Sequence, residues 1–142
     1  MREAMAVAAR AAAAGDVPVG AVIVRGGELL TQSANRTERD QDPTAHAEVL
    51  AIREASRLLG RWRLDDCALY VTLEPCAMCA GAIVLARLER LVFGAWDEKA
   101  GMVGSVGDIV RHGSLNHRPE VAAGLLADEC GAMVSAFFKV RR

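Results

Sequence analysis

Two short stretches hold the residue types that could do chemistry. In the first, Asp42-Pro43-Thr44-Ala45-His46-Ala47-Glu48, a histidine and a glutamate stand two apart. In the second, Glu74-Pro75-Cys76-Ala77-Met78-Cys79, a proline precedes a Cys-x-x-Cys pair. His46, Cys76 and Cys79 are candidate metal ligands, and two thiolates with one imidazole suit tetrahedral Zn²⁺. Three protein ligands leave the fourth position to water, the layout of a catalytic zinc site. Zinc lowers the pKa of such a water from about 15.7 to about 7. Glu48, next to the ligand histidine, is placed to take the water's proton and deliver it elsewhere. This set fits hydrolytic removal of an amino group from an aromatic ring. A redox Cys-x-x-Cys pair has no use for His-x-Glu upstream. A structural zinc knuckle would need a fourth ligand, nominally Cys67 or Cys130, and has no use for Glu48.

The elements that must position these residues follow from pattern. Residues 2–14 are alanine-rich and read as a helix stopped by Gly15. Residues 17–24 are β-branched and read as a strand, Gly26-Gly27 as a hairpin turn, and residues 29–34 as the returning strand. Residues 35–42 are polar and read as a loop. Asp42 can cap a helix with Pro43 in its first position, running to about Leu59 and stopped by Gly60. A short apolar strand over 68–72 is broken by Glu74-Pro75, and an apolar helix follows over 76–88. Arg90–Ala95 is the next strand, 96–104 a loop, 108–110 a helical turn, and Glu120-Val121 a short edge strand. The last helix is expected over 125–140, with Leu126, Cys130, Met133 and Phe137 on one face. This alternation predicts an α/β fold, a three-layer α/β/α sandwich on a mixed sheet of about five strands. The two ligand-bearing segments then start helices at one end of the sheet. Helix starts carry partial positive charge, which favours thiolates.

The 142 residues suit one domain spanning 1–142, and 52% hydrophobic against 25% charged residues supply a sizeable core. No apolar run approaches the ~18 residues of a membrane span, and the start Met1-Arg2-Glu3-Ala4 does not read as a secretory leader. Four cysteines, two of them in a metal motif, point to a reducing, cytoplasmic setting. The formal net charge of −1 gives no global attraction to phosphate, so a nucleic-acid partner would need local positive charge.

The chain resembles the bacterial tRNA adenosine deaminases of the cytidine deaminase-like superfamily, and the resemblance runs nearly end to end. His-x-Glu with Pro-Cys-x-x-Cys is the signature of zinc deaminases as a class. Val17-Pro18-Val19-Gly20-Ala21-Val22 also matches, and the segments after the zinc motif, Phe93-Gly94-Ala95, Gly104-Ser105, Asn116-His117-Arg118 and Ala127-Asp128-Glu129-Cys130, are similar to the RNA-editing branch. The resemblance implies a homodimer that converts adenosine to inosine at the wobble position of a tRNA anticodon stem-loop. It implies one zinc per chain on His46, Cys76 and Cys79, with Glu48 as proton shuttle. It further implies that Asn35 hydrogen-bonds the target base and that Val19 walls its pocket. Asp97 and Ser105 would lie in the RNA-contacting loop, and Phe138 and Arg142 on the final helix would meet the anticodon loop. Read as residues alone, Asn35 is also a turn former, Val19 ordinary strand packing, Asp97 and Ser105 loop or cap residues, Phe138 a core aromatic and Arg142 a solvated charge. A deaminase of a free base or nucleoside, guanine or cytosine, shares the zinc chemistry and suits the net charge. Against it stands the tail, where Lys139, Arg141 and Arg142 cluster near Phe137 and Phe138 in a pattern suited to stacking and phosphate contact. A zinc-stabilised binding module is the remaining rival, and it would leave Glu48 without a purpose.

Overall fold

A computed structural model describes residues 1–141. The alanine-rich start forms α1, Arg2–Ala13, which buries Ala4, Val7, Ala8 and Ala11 on one face. The strand expected over 17–24 begins later: β1 is Gly20–Arg25. Pro18 has no N–H to give a ladder, and the Val19 N–H is spent on the Val17 carbonyl at 2.8 Å. Gly26 and Gly27 have φ of +57° and +79°, the pair of left-handed residues that a tight two-residue hairpin demands. The chain returns as β2, Glu28–Ala34.

The stretch 35–42 is not all loop. It holds one helical turn, α2, Thr37–Asp40, and the buried Asp16 carboxylate accepts the Glu38 N–H at 2.7 Å in its first turn. The next helix does not start at Asp42-Pro43. Asp42 instead accepts the Thr44 N–H at 2.8 Å and the Thr44 hydroxyl at 2.7 Å, a local turn that competes with helix. The helix, α3, is Ala47–Leu59, with His46 as its N-cap and Gly60 closing it at φ +66°.

The rest alternates as expected, with shifted bounds. β3 is Cys67–Leu73, α4 is Ala77–Leu85 with Cys76 as N-cap, β4 is Arg90–Ala95, β5 is Glu120–Ala123 and α5 is Ala127–Arg141. α4 stops short of Leu88 because Arg87 turns to φ +59° and its guanidinium caps the Val84 carbonyl at 3.0 Å. At 108–110 no helix forms: Asp108 makes an isolated antiparallel bridge with Val103, and a hydrogen-bonded turn follows, with the His112 N–H on the Ile109 carbonyl at 3.2 Å. α5 starts after Leu126, whose φ of +55° takes it out of the helix, so Cys130 and Phe137 are the buried residues of that face.

The strands form one sheet in the order β2-β1-β3-β4-β5. β1 runs antiparallel to β2 and β3, while β3, β4 and β5 are parallel. One face carries α3 and α4, whose Ala47, Ala51, Ile83 and Val84 share a core with Ile23, Leu69, Leu91 and Phe93. The other face carries α1 and α5, giving three layers. Glycines set the closeness of that second layer. A Cβ on Gly20 would strike the Ala4 carbonyl, and one on Gly94 would strike the Cys130 sulfur.

Gly20→Ala is therefore expected to lower stability by about 1–3 kcal/mol, the usual cost of overpacking. Gly113→Ala, at a loop position with open space around it and no left-handed φ, is the control with little effect. Urea unfolding midpoints of the two variants check this, and equal midpoints would contradict it.

Candidate metal centre and active site

The site forms where the carboxyl ends of β3 and β4 meet the start of β1. Gly20 pairs with Ala34, and its N–H reaches the Thr72 hydroxyl at 3.2 Å, so Val19, Asn35 and the end of β3 share one sheet edge. Both helices that supply metal donors begin there. His46 and Cys76 are both N-cap residues with extended backbone, ψ 149° and 179°. Their carbonyls accept the first helical bonds, from Leu50 at 3.0 Å and Ala80 at 2.8 Å. Cys79 follows one turn into α4.

His46 Nδ1 lies 3.5 Å from Cys76 Sγ and 3.5 Å from Cys79 Sγ. The three donor atoms all fall within 4.8 Å of one another, a group that can hold one metal ion. Among the described residues no further cysteine, histidine or carboxylate belongs to this group. Cys67 opens β3 at the far end of the strand, and Cys130 lies under Gly94, so neither completes a four-ligand site.

The two thiols share their proton unequally. The hydrogen bond from Cys79 lowers the Cys76 pKa to about 4, against the opposing effect of burial, and contact with His46 adds to the lowering. Cys79 is pushed up by the same pairing and by its burial. His46 is held above its ordinary value, chiefly by its contact with Cys76. Glu48, in the first turn of α3, is 4% exposed. Burial raises its pKa to about 6, with His46 and Cys79 opposing the rise. A carboxyl poised there can accept and release a proton near neutral pH.

Val19 and Asn35 are brought together beside this group. Both are nearly buried, and the Asn35 N–H donates to the Val19 carbonyl at 3.0 Å. The Asn35 amide donates to the Thr37 hydroxyl at 3.3 Å. Asp97 and Ser105 lie on the loop that follows β4. Asp97 Oδ1 caps its own turn, accepting the N–H groups of Lys99 at 3.1 Å and Ala100 at 3.2 Å. Ser105 donates its hydroxyl to Glu74. Pattern reading treats Glu74 only as a strand breaker, yet it is buried and gathers several donors from this loop. Burial pushes its pKa up, but the Ser105 hydroxyl and the loop N–H groups outweigh that and hold it below its ordinary value. Trp96 stands half exposed on the same loop, its ring edge-on to Phe93 at 4.9 Å. On α5, Phe138 is exposed and Phe137 is buried with the Arg141 guanidinium 3.6 Å above its ring. Arg142 lies outside the described residues.

Comparison with known proteins points the same way. A family model described as MafB19-like deaminase matches residues 1–142. A tRNA-specific adenosine deaminase of Bacillus subtilis (strain 168) is 49% identical over 142 residues, covering 100% of this chain and 88% of that protein. A solved structure from studies of A-to-I editing by tRNA:A34 deaminases at the wobble position of transfer RNA is 44% identical, with a TM-score of 0.91 over 94% of this chain and 96% of its own. A guanine deaminase of Bacillus subtilis is 34% identical, with a TM-score of 0.66 over 99% of this chain and 90% of its own.

The thiol environments make a test of the metal group. In protein stripped of metal, iodoacetamide at pH 6 is expected to modify Cys76 first. Cys67, buried and raised to about 11, and Cys130, also raised by burial, should stay unmodified. Metal reloading should protect Cys76. Peptide mass spectrometry reads the order, and labelling of Cys67 ahead of Cys76 would contradict the assignment.

Proposed function

This chain belongs to the MafB19-like deaminase family and, within it, to the tRNA-specific adenosine deaminases, and from that membership we propose that it converts adenosine to inosine at the wobble position of a tRNA anticodon loop. The observation that carries the chemistry is one imidazole and two thiols converging beside a buried carboxyl. The free-base alternative is not favoured. The solved tRNA:A34 deaminase is 44% identical with a TM-score of 0.91, against 34% and 0.66 for one guanine deaminase and 24% and 0.83 for another.

Zinc fits the donor set. Tetrahedral Zn–N and Zn–S bonds of about 2.0 and 2.3 Å separate the nitrogen from each sulfur by about 3.5 Å, and the observed separations are 3.5 Å. His46, Cys76 and Cys79 would hold one ion per chain, which when bound supplies a water acidified towards neutral pH. The remaining work belongs to side chains. Asn35 hydrogen-bonds the target adenine, and Val19 walls its apolar side. Glu48 takes a proton from the water that adds to C6 and passes it to ring N1. It then carries the proton of the new C6 hydroxyl to the amino group, which leaves as ammonia as the C6 carbonyl forms. An anticodon loop offers its bases unpaired, so splaying one into the pocket costs little. Asp97 and Ser105 on the loop after β4, and Phe138, Lys139, Arg141 and Arg142 at the end of the chain, are the candidates for contacts with flanking nucleotides.

The whole chain acts as one catalytic domain, 1–142, working in the cytoplasm where tRNA is its substrate. No helix among the described residues is long and apolar enough to cross a membrane. Its assembly is a homodimer, supported by an apolar stripe on α4. Met78, Gly81, Ala82 and Leu85 fall on one side of that helix, Leu85 is 69% exposed, and Gly81 has open space around it. Trp62 is also exposed, its ring 5.9 Å from the guanidinium of Arg87, which follows α4.

Incubation with an anticodon stem-loop, free adenosine, guanine and cytosine, followed by nucleoside analysis, tests the substrate. Inosine is expected from the stem-loop alone. Efficient deamination of guanine or cytosine with an untouched stem-loop would sink the tRNA reading. Glu48→Ala should keep its metal and fold yet lose about 10²–10⁴-fold in turnover; loss of metal instead would make Glu48 a ligand.

Light scattering at micromolar concentration should give a mass of two chains, and Leu85→Glu should reduce it to one. A one-chain mass for the parent protein would reject the dimer.

A further inference from the structure

Glu74 is not used by the chemistry above, yet it ties the metal-bearing turn to the loop after β4. Its side chain is 2% exposed. The carboxylate accepts the backbone N–H groups of Asp97 at 3.0 Å, Val103 at 3.0 Å and Ser105 at 3.1 Å, and the Ser105 hydroxyl as well. The backbone laces the same segments together. The Glu74 N–H donates to the Ala95 carbonyl at 2.8 Å, and the Met102 N–H donates to the Pro75 carbonyl at 2.9 Å. Gly101 approaches so closely that a Cβ there would collide with the Glu74 carboxyl. Its φ is not left-handed, so close approach rather than backbone conformation is what calls for glycine.

A loop that turns three N–H groups inward leaves them unsatisfied unless an acceptor meets them, and a buried charge needs donors to match. Glu74 and the loop meet both needs at once. The Glu74 backbone is two residues from the ligand Cys76, and the loop carries Asp97 and Ser105. We propose that Glu74 is a positioning residue that presets the 97–105 loop against the metal centre, in the shape that receives the nucleotides flanking the target adenosine. This rests on the tRNA deaminase reading. A loop in its binding shape for only a fraction of the time weakens apparent affinity by that fraction. The groups assigned to proton transfer and metal binding lie at the N-caps and first turns of α3 and α4 and are not Glu74's hydrogen-bond partners. Loosening the loop should therefore act on KM and spare kcat.

Two variants attack the contact from opposite sides. Glu74→Gln keeps the size but turns an NH₂ towards N–H donors, and Gly101→Ala pushes the carboxyl from the loop side. With the metal-loaded enzyme and an anticodon stem-loop, each should raise KM about tenfold, with kcat within about twofold and metal content equal to the parent's. The double variant should cost less than the product of the two, since both break one contact. Unchanged KM would overturn the proposal. So would kcat and metal content falling together, which would place the effect at Cys76, and so would failure of both variants to fold, which would make Glu74 a residue of general stability. Amide exchange at Asp97, Val103 and Ser105, read without RNA, should be slow in the parent and fast in Glu74→Gln. If the parent is inert on the stem-loop but exchange behaves so, the substrate assignment falls and the Glu74 clamp on the loop stands. Equally slow exchange in both proteins removes the clamp.

Discussion

Everything at the active edge depends on two helices starting at the same place. His46 and Cys76 are 30 residues apart in sequence, yet their side chains come within 3.5 Å. Each is the last extended residue before a helix, so its direction is fixed by the segment before it and by the helix after it. Helix starts present N–H groups and partial positive charge, which favour thiolate over thiol. The depressed Cys76 pKa has a different principal cause, the Cys79 thiol one turn along. The helix geometry places that thiol, and local chemistry does the rest.

The same arrangement explains how a carboxyl can sit beside the metal group without joining it. Glu48 lies two residues past His46 on α3 and is turned inward against the core. The start of a helix favours a negative charge and burial disfavours it. Here burial wins, and the pKa rises to about 6. An acid or base is most useful when its pKa is near the working pH, so the cost of burying the group contributes directly to its use. Across the edge, the Asn35 N–H is held by the Val19 carbonyl and its amide donates to the Thr37 hydroxyl, so the side chain proposed to meet the base is tied to both flanking segments.

Residues whose identity carries the information were legible in the sequence. The Gly26-Gly27 turn, the Gly60 stop, the strand Arg90–Ala95 and the convergence of His46, Cys76 and Cys79 all depend on side-chain type at a given spacing. Where two local rules competed, reading failed. Asp42-Pro43 has the form of a helix cap, but the Asp42 carboxyl is taken by Thr44 and the helix waits until Ala47. α2 escaped notice because a single polar turn has no apolar period, and part of its support comes from Asp16, distant in sequence. The role of Glu74 was illegible for a related reason: three of the groups it binds are backbone N–H, which any residue but proline can offer.

The two outermost strands end the sheet in different ways. β5 is only four residues long and gives way at Gly124, whose φ of +83° turns the chain aside. β2 is interrupted opposite Ile23 and Val24, where the register slips and Leu30 is left over. A sheet margin with a long, regular row of free N–H and C=O groups recruits further chains and seeds aggregation. A margin that is short on one side and irregular on the other is a poor template for growth. Strand addition is thus discouraged at both margins, while exposed apolar side chains such as Leu58, Leu85 and Phe138 lie on helices.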